Sequence, residues 1–190
     1  MNKARGFTLL EVMVVLAIIG ALLSMVTLSG SDRQAQDQVT RTGEQVRALF
    51  MAYQQEASFQ NIDLGVAMDS GFLKLLSLQD LRKQEVQAGK TREEVDAIQK
   101  NPWQAYQGSL KGELNLPETV FMTLTVEGKE VDLDAEVGKE GPKPVLLFLS
   151  SDEYTPFELV LSHSEDTHFA VKLQGDGFNP PALEVEHFED

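Results

Sequence analysis

A run of apolar residues begins at Phe7 and continues to about Leu28, with Glu11 as its only ionisable side chain. As a helix, its 22 residues span about 33 Å at 1.5 Å per residue. That matches the roughly 30 Å hydrocarbon core of a bilayer. A secretory signal peptide has an apolar stretch of only about 7–15 residues followed by a small-residue cleavage site. Here the run is longer and no convincing Ala-x-Ala site follows it. Lys3 and Arg5 precede the run with no acid beside them, which predicts a cytoplasmic N-terminus and a chain that emerges on the far side of the membrane. A plain single-pass anchor is the simpler reading, and it leaves Gly6, Phe7 and Glu11 without a purpose.

Glu11 carries the sharpest chemical inference. A carboxylate on a lipid-facing helix costs about 2.5–3.5 kcal/mol at the helix centre, and less near an end. Two readings fit: an acid snorkelling toward the headgroups, or one that meets a positive charge among packed helices.

The segment Arg5-Gly6-Phe7-Thr8-Leu9-Leu10-Glu11 resembles the processing signal of type IV pilins and type II secretion pseudopilins. The resemblance implies cleavage between Gly6 and Phe7 by a prepilin peptidase and N-methylation of Phe7. It also implies assembly into a helical filament in which Glu11 pairs with the terminal amine of a neighbouring subunit. The expected divisions are a cleaved leader 1–6, a transmembrane helix 7–28, an amphipathic helix 29–58 continuing into the head, and a periplasmic β-rich head 59–190.

The formal net charge is −14. Loss of Lys3 and Arg5 with the leader leaves 14 basic side chains against 30 acidic ones, a balance of −16. That argues against nucleic acid as a partner, since phosphates need Lys or Arg, and against adhesion to anionic lipid. The chain has no cysteine, which excludes thiol catalysis and cysteine metal sites. A periplasmic head would have to hold together without disulfides.

Beyond the apolar run, Ser29-Gly30-Ser31-Asp32 reads as a loop or as a looser stretch of one long helix. From Asp32 to about Ser58 the residues Ala35, Val39, Val46, Phe50, Tyr53 and Ala57 recur at helical spacing, with Gly43 completing the stripe. This predicts an amphipathic helix with one buried face. Its other faces are read as polar, occupied by Gln, Arg, Asp and Glu.

The period then changes. Strands are predicted over 62–68 and 72–78 around an Asp69-Ser70-Gly71 turn, then over 119–127, 145–149, 157–161, 169–173 and 183–187. Residues 162–167 are read as a polar turn and 131–143 as an acidic loop. The stretch 79–101 is charged and lacks strand alternation, and Thr91-Arg92-Glu93-Glu94 predicts a capping box before a short helix. The fold class expected is α+β, a long N-terminal helix packed on an antiparallel β-sandwich head.

Within the pilin-like proteins, Glu56-Ala57, Leu64-Gly65-Val66, Trp103-Gln104-Ala105-Tyr106, the segment from Phe148 to Leu161, and Gly175-Asp176-Gly177 resemble the minor pseudopilin H family of type II secretion systems. That implies a structural subunit near the tip of a pseudopilus, linking a tip complex to the major pseudopilin. Its partners would be other minor pseudopilins, the major pseudopilin and the prepilin peptidase, and its place the bacterial inner membrane.

Catalytic chemistry finds little support. His163 and His168 are five apart, not at the four-residue spacing of paired ligands on a helix. Ser150-Ser151-Asp152 has no triad logic around it. Asp132, Asp134 and Glu136 alternate without the order of a calcium loop. No catalytic residue, metal or cofactor is predicted. Two other functions remain open: a minor pilin of a type IV pilus, and a membrane-anchored periplasmic enzyme. The acidic tail from Glu184 to Asp190 speaks against the DNA-uptake pilins, which use basic residues there.

Overall fold

A computed structural model describes residues 9–80, 89–133 and 141–188, with backbone alone for 22–31. Helix α1 runs unbroken from Leu9 to Gln60, 52 residues, about 78 Å at 1.5 Å per residue. Ser29 to Asp32 therefore lie inside the helix, the second of the two readings of that stretch. The predicted stripe is its buried face: Val39, Val46, Phe50 and Ala57 have no exposure, Tyr53 has 1% and Ala35 2%.

The helix stops for a local reason. Asn61 takes a left-handed φ of 52°, its N–H donates to Ser58 O, and the Ile62 N–H donates to Ala57 O. That pair of bonds is a Schellman cap, with asparagine in place of the more usual glycine.

Among the described residues two antiparallel five-stranded sheets follow. The first contains β1 (Leu64–Asp69), β2 (Phe72–Leu78), β3 (Trp103–Ala105), β4 (Glu113–Asn115) and β7 (Leu146–Phe148). Its order is β3-β2-β1-β7, and β4 also pairs with β2. The second contains β5 (Val120–Val126), β6 (Lys129–Val131), β8 (Phe157–His163), β9 (Phe169–Gly175) and β10 (Ala182–His187), in the order β10-β9-β8-β5-β6. The stripe of α1 packs against β8, β9 and β10 of the second sheet and against β7 of the first. The core lies where these layers meet. Phe50 touches both sheets, 5.5 Å from Phe148 of β7 and 5.3 Å edge-on from Phe157 of β8, measured between ring centroids.

Strand alternation explains the sheets. β5 buries Val120, Met122 and Leu124 and exposes Phe121 and Thr123, as the period of two requires. Its hairpin to β6 turns at Glu127 and Gly128, with φ of 52° and 74°, the two positive values of a type I′ turn. The stretch 79–101 yields helix α2 (Arg92–Lys100), and Thr91 and Glu94 close the capping box reciprocally. Residues 81–88 of that stretch, and 134–140 of the predicted acidic loop, lie outside the described residues.

Three differences from the sequence reading stand out. The short strands β3, β4 and β6 were not expected. β8 runs on to His163 and β9 to Gly175. His163 is therefore a strand end with 5% exposure, not a residue of a polar turn.

Gly43 sits where α1 lies flat on the second sheet. A Cβ there would come 2.8 Å from Val171 Cγ1 and 3.3 Å from Leu183 Cδ1. Gly43→Leu must push the helix off the sheet, and overpacking of this kind costs about 1–3 kcal/mol. Thermal denaturation should show a lower midpoint by several degrees, at about 2–4 °C per kcal/mol for a chain of this size.

Candidate assembly surface

The N-terminal part of α1 stands clear of the head. Residues 9–21 are all exposed, among them Leu9 at 79%, Leu10 at 71%, Met13 at 63% and Leu16 at 62%. Apolar side chains on every face of a helix mark a segment that is covered by something other than its own head, such as lipid or other helices. Glu11 projects from the first turn of this segment. About 58 Å of helix separates Glu11 from Phe50, so a change at one has no direct route to the packing of the other. Gly6 and Phe7 lie outside the described residues.

Among the described residues, no helix is long and apolar enough to cross a membrane. The side chains described in the apolar run are those of 9–21, about 20 Å of helix.

Polar side chains tie the other end of α1 to the head. Arg47 Nε donates to Pro181 O (2.7 Å), Tyr53 Oη to Lys111 O (2.9 Å) and Gln54 Nε2 to Asp152 O (2.8 Å). Gln36 Nε2 donates to Asp166 Oδ2 (2.9 Å) lower on the stem. Burial pushes the Tyr53 hydroxyl up to about 12, so it remains a donor over the whole range in which the protein is handled. These bonds act with the apolar stripe to fasten the helix to the head. Sequence reading missed them because it assigned the glutamines to the polar faces, yet Gln54 is 8% exposed. A polar residue flanking an apolar stripe carries no mark of whether a backbone carbonyl waits for it.

His163 and Ser150 have structural work. His163 Nε2 faces Gln38 Oε1 at 3.2 Å, and its Nδ1 accepts the Glu165 N–H at 3.1 Å. Both ring nitrogens are thereby engaged. The accepting Nδ1 places the proton on Nε2 and makes it the donor to Gln38. Ser150 donates through both N and Oγ to Asp63 Oδ1. Asp134 and Glu136 lie outside the described residues, and Asp132 is exposed. Among the described residues no group of three or more His, Asp or Glu is arranged to hold a metal ion. Trp103 covers Gly65, where a Cβ would meet its ring at 2.9 Å and Pro144 Cβ at 2.5 Å. Its role is to close the outer face of the first sheet.

Asp176 shapes the turn into the last strand. Its Oδ1 accepts the N–H groups of Phe178 and Asn179, and its Oδ2 accepts Asn179 Nδ2. These donors hold its carboxyl down to about 2.

Residues 1–27 match the family described as the prokaryotic N-terminal methylation motif. Over 190 aligned residues the chain is 26% identical to type II secretion system protein H of Pseudomonas aeruginosa, covering 97% of this chain and 98% of that protein. It is 30% identical over 189 residues to type II secretion system protein H of Aeromonas hydrophila, covering 93% and 91%. Its fold is similar to the structure of the minor pseudopilin EpsH from the type 2 secretion system of Vibrio cholerae, with a TM-score of 0.53 at 18% identity over 79% of this chain and 97% of that one. The solution structure of GspH from E. coli gives a TM-score of 0.54 at 13% identity over 80% and 91%. At those identities the structures establish a common fold.

Proposed function

The chain belongs to the type II secretion system protein H family, and from that membership we propose that it is a minor pseudopilin: a structural subunit of a periplasmic pseudopilus that takes part in protein export. The observation that carries this is the separation of two surfaces on one helix. The rear half of α1 is fixed into the head, while residues 9–21 present an apolar surface that the head does not cover. Such a helix is suited to pass from lipid into a bundle of like helices.

In this reading the leader 1–6 is removed by a prepilin peptidase, Phe7 becomes the methylated N-terminus, and the run 7–28 sits in the inner membrane with the head, 59–190, in the periplasm. The partners are other minor pseudopilins and the major pseudopilin, with this subunit near the tip. Glu11 faces the Phe7 amine of a neighbour once the helices pack. The pairing has a physical basis, since either charge alone among apolar helices would be left uncompensated. The protein's work is then assembly, with no catalytic step of its own.

Processing tests the reading at its first step. Gly6 precedes the scissile bond, where a small and conformationally free residue suits a peptidase working at the membrane surface. Intact-mass measurement of the protein extracted from membranes should give a chain that starts at Phe7 and carries one methyl group. Retention of Met1 in cells with an active prepilin peptidase would contradict the proposal.

A further inference from the structure

Among the described residues the second sheet ends on β10, and the edge of that strand turned away from β9 has a definite chemical character. The Phe188 N–H donates to His168 O at 2.8 Å. The β10–β9 register runs one to one from Ala182 opposite Gln174 to His187 opposite Phe169. In an antiparallel pair, hydrogen-bonded and non-bonded residue pairs alternate. Phe188, Glu186, Glu184 and Ala182 therefore bond toward β9. The N–H and C=O groups of Leu183, Val185 and His187 point away from it, along the free edge.

The side chains alternate as well. Leu183 and Val185 lie on the face toward α1, where Leu183 packs beside Gly43 and Val185 is 47% exposed. Glu184 and Glu186 lie on the opposite face with Lys172. Lys172 Nζ is 2.7 Å from Glu158 Oε2 and 3.9 Å from Glu186 Oε1. That one cation stands among three glutamates, so the face keeps an excess of negative charge. Arg47 and Asp176 fix the approach to the strand through Pro181 O and the 176–179 turn, which keeps the edge extended.

An unpaired edge is a template for another strand. A second copy of β10 fits it poorly. Antiparallel pairing centred on Val185 would set each Glu184 opposite the other copy's Glu186, and like charges directly opposite destabilise a sheet. We propose that the β10 edge, through the backbone of Leu183, Val185 and His187, accepts an extended segment of a partner polypeptide. That segment has Lys or Arg opposite Glu184 and Glu186 and an apolar residue opposite Val185. This site lies on the head, where β10 rests on the rear half of α1, and is separate from the exposed N-terminal segment 9–21.

The probe is a short blocked peptide of alternating lysine and valine, with a glutamate–valine peptide as control, titrated into the full-length protein in detergent micelles. Amide hydrogen exchange read by NMR should slow at Leu183, Val185 and His187 with the lysine peptide and not with the control. The effect should weaken as salt is added. Val185→Pro removes one outward N–H from an edge strand that tolerates proline there, and should weaken binding by about tenfold or more while the amides bonded to β9 stay protected. Should that variant lose its fold, the Glu184→Lys/Glu186→Lys double variant reads the same question: it should exchange its preference and take the glutamate–valine peptide. No protection at the three outward amides, or equal binding of both peptides, overturns the proposal and leaves the two glutamates as guards against self-pairing.

Discussion

Phe50→Ala should be the most damaging single truncation in the head. Phe50 has no exposure and its ring meets Tyr53 on its own helix, Phe148 on the first sheet and Phe157 on the second. Removing a buried phenylalanine costs about 3–5 kcal/mol through lost transfer energy and the cavity left behind. A domain holds only about 5–15 kcal/mol in all. The thermal midpoint should fall by about 6–20 °C, and both sheets should loosen together, because the ring is shared between them. Phe59 supplies the control. It lies on the same helix with 88% of its surface exposed, and Phe59→Ala should change stability by no more than about 0.5 kcal/mol. Equal effects from the two substitutions would mean that α1 does not join the sheets in the way described.

Glu11→Val should have the opposite profile: full stability in the head and a large loss in assembly. The substitution lies some 58 Å along the helix from Phe50, so circular dichroism and the thermal midpoint of the head should not move. Cleavage and membrane insertion should persist, and insertion should improve if anything, since an acid near lipid has been replaced by an apolar side chain. In the packed filament a neighbour's Phe7 amine would lose its counter-charge. An uncompensated buried charge costs about 3–5 kcal/mol, so cross-linking to the other pseudopilins in membranes should fall at least tenfold, with secretion falling alongside it. Wild-type cross-linking and secretion in Glu11→Val would reduce the acid to a snorkelling residue, and assembly would then rest on helix packing alone.

What the sequence made legible follows from how strongly each element repeats. The stripe from Ala35 to Ala57 covers more than five turns of helix, and Val120 to Leu124 of β5 alternate between buried and exposed. Both signals are long enough to outweigh local noise. The capping box at Thr91 and Glu94 identified α2 although most of that stretch is charged. β3, β4 and β6 are three residues each, too short to display a period of two. They exist because β2 and β5 offer edges for them: one residue, Leu75, accepts the Tyr106 N–H and donates to Gly112 O, pinning both ends of the loop between β3 and β4. His163 was misplaced because Ser, His, Glu and Asp read as a turn, whereas Gln38 of α1 and the Glu165 N–H satisfy its ring at a buried strand end.

The candidate site divides along the same line. Gly6, Phe7 and Glu11 stand out in the sequence because a small residue, an aromatic and a lone acid at the head of an apolar run seldom coincide by chance. The glutamines and Arg47 that fasten α1 to the head could not be found so, because their partners are backbone carbonyls and side chains far away in sequence. The free edge of β10 was equally hidden. The alternation of Leu183 to His187 predicted a strand, and only the order of the sheet shows that, among the described residues, β9 is its one neighbour.

The central claim is that this chain serves protein export as a subunit anchored through its N-terminal helix. Its most direct test is the amount of exoprotein reaching the medium from a strain deleted for this chain and complemented in two ways. Full-length protein should restore export, and a version lacking the first 30 residues should not, even where its head accumulates folded in the periplasm. Undiminished export in the deletion strain, or restoration by the head alone, would contradict the account and point instead to a periplasmic activity that the helix merely tethers.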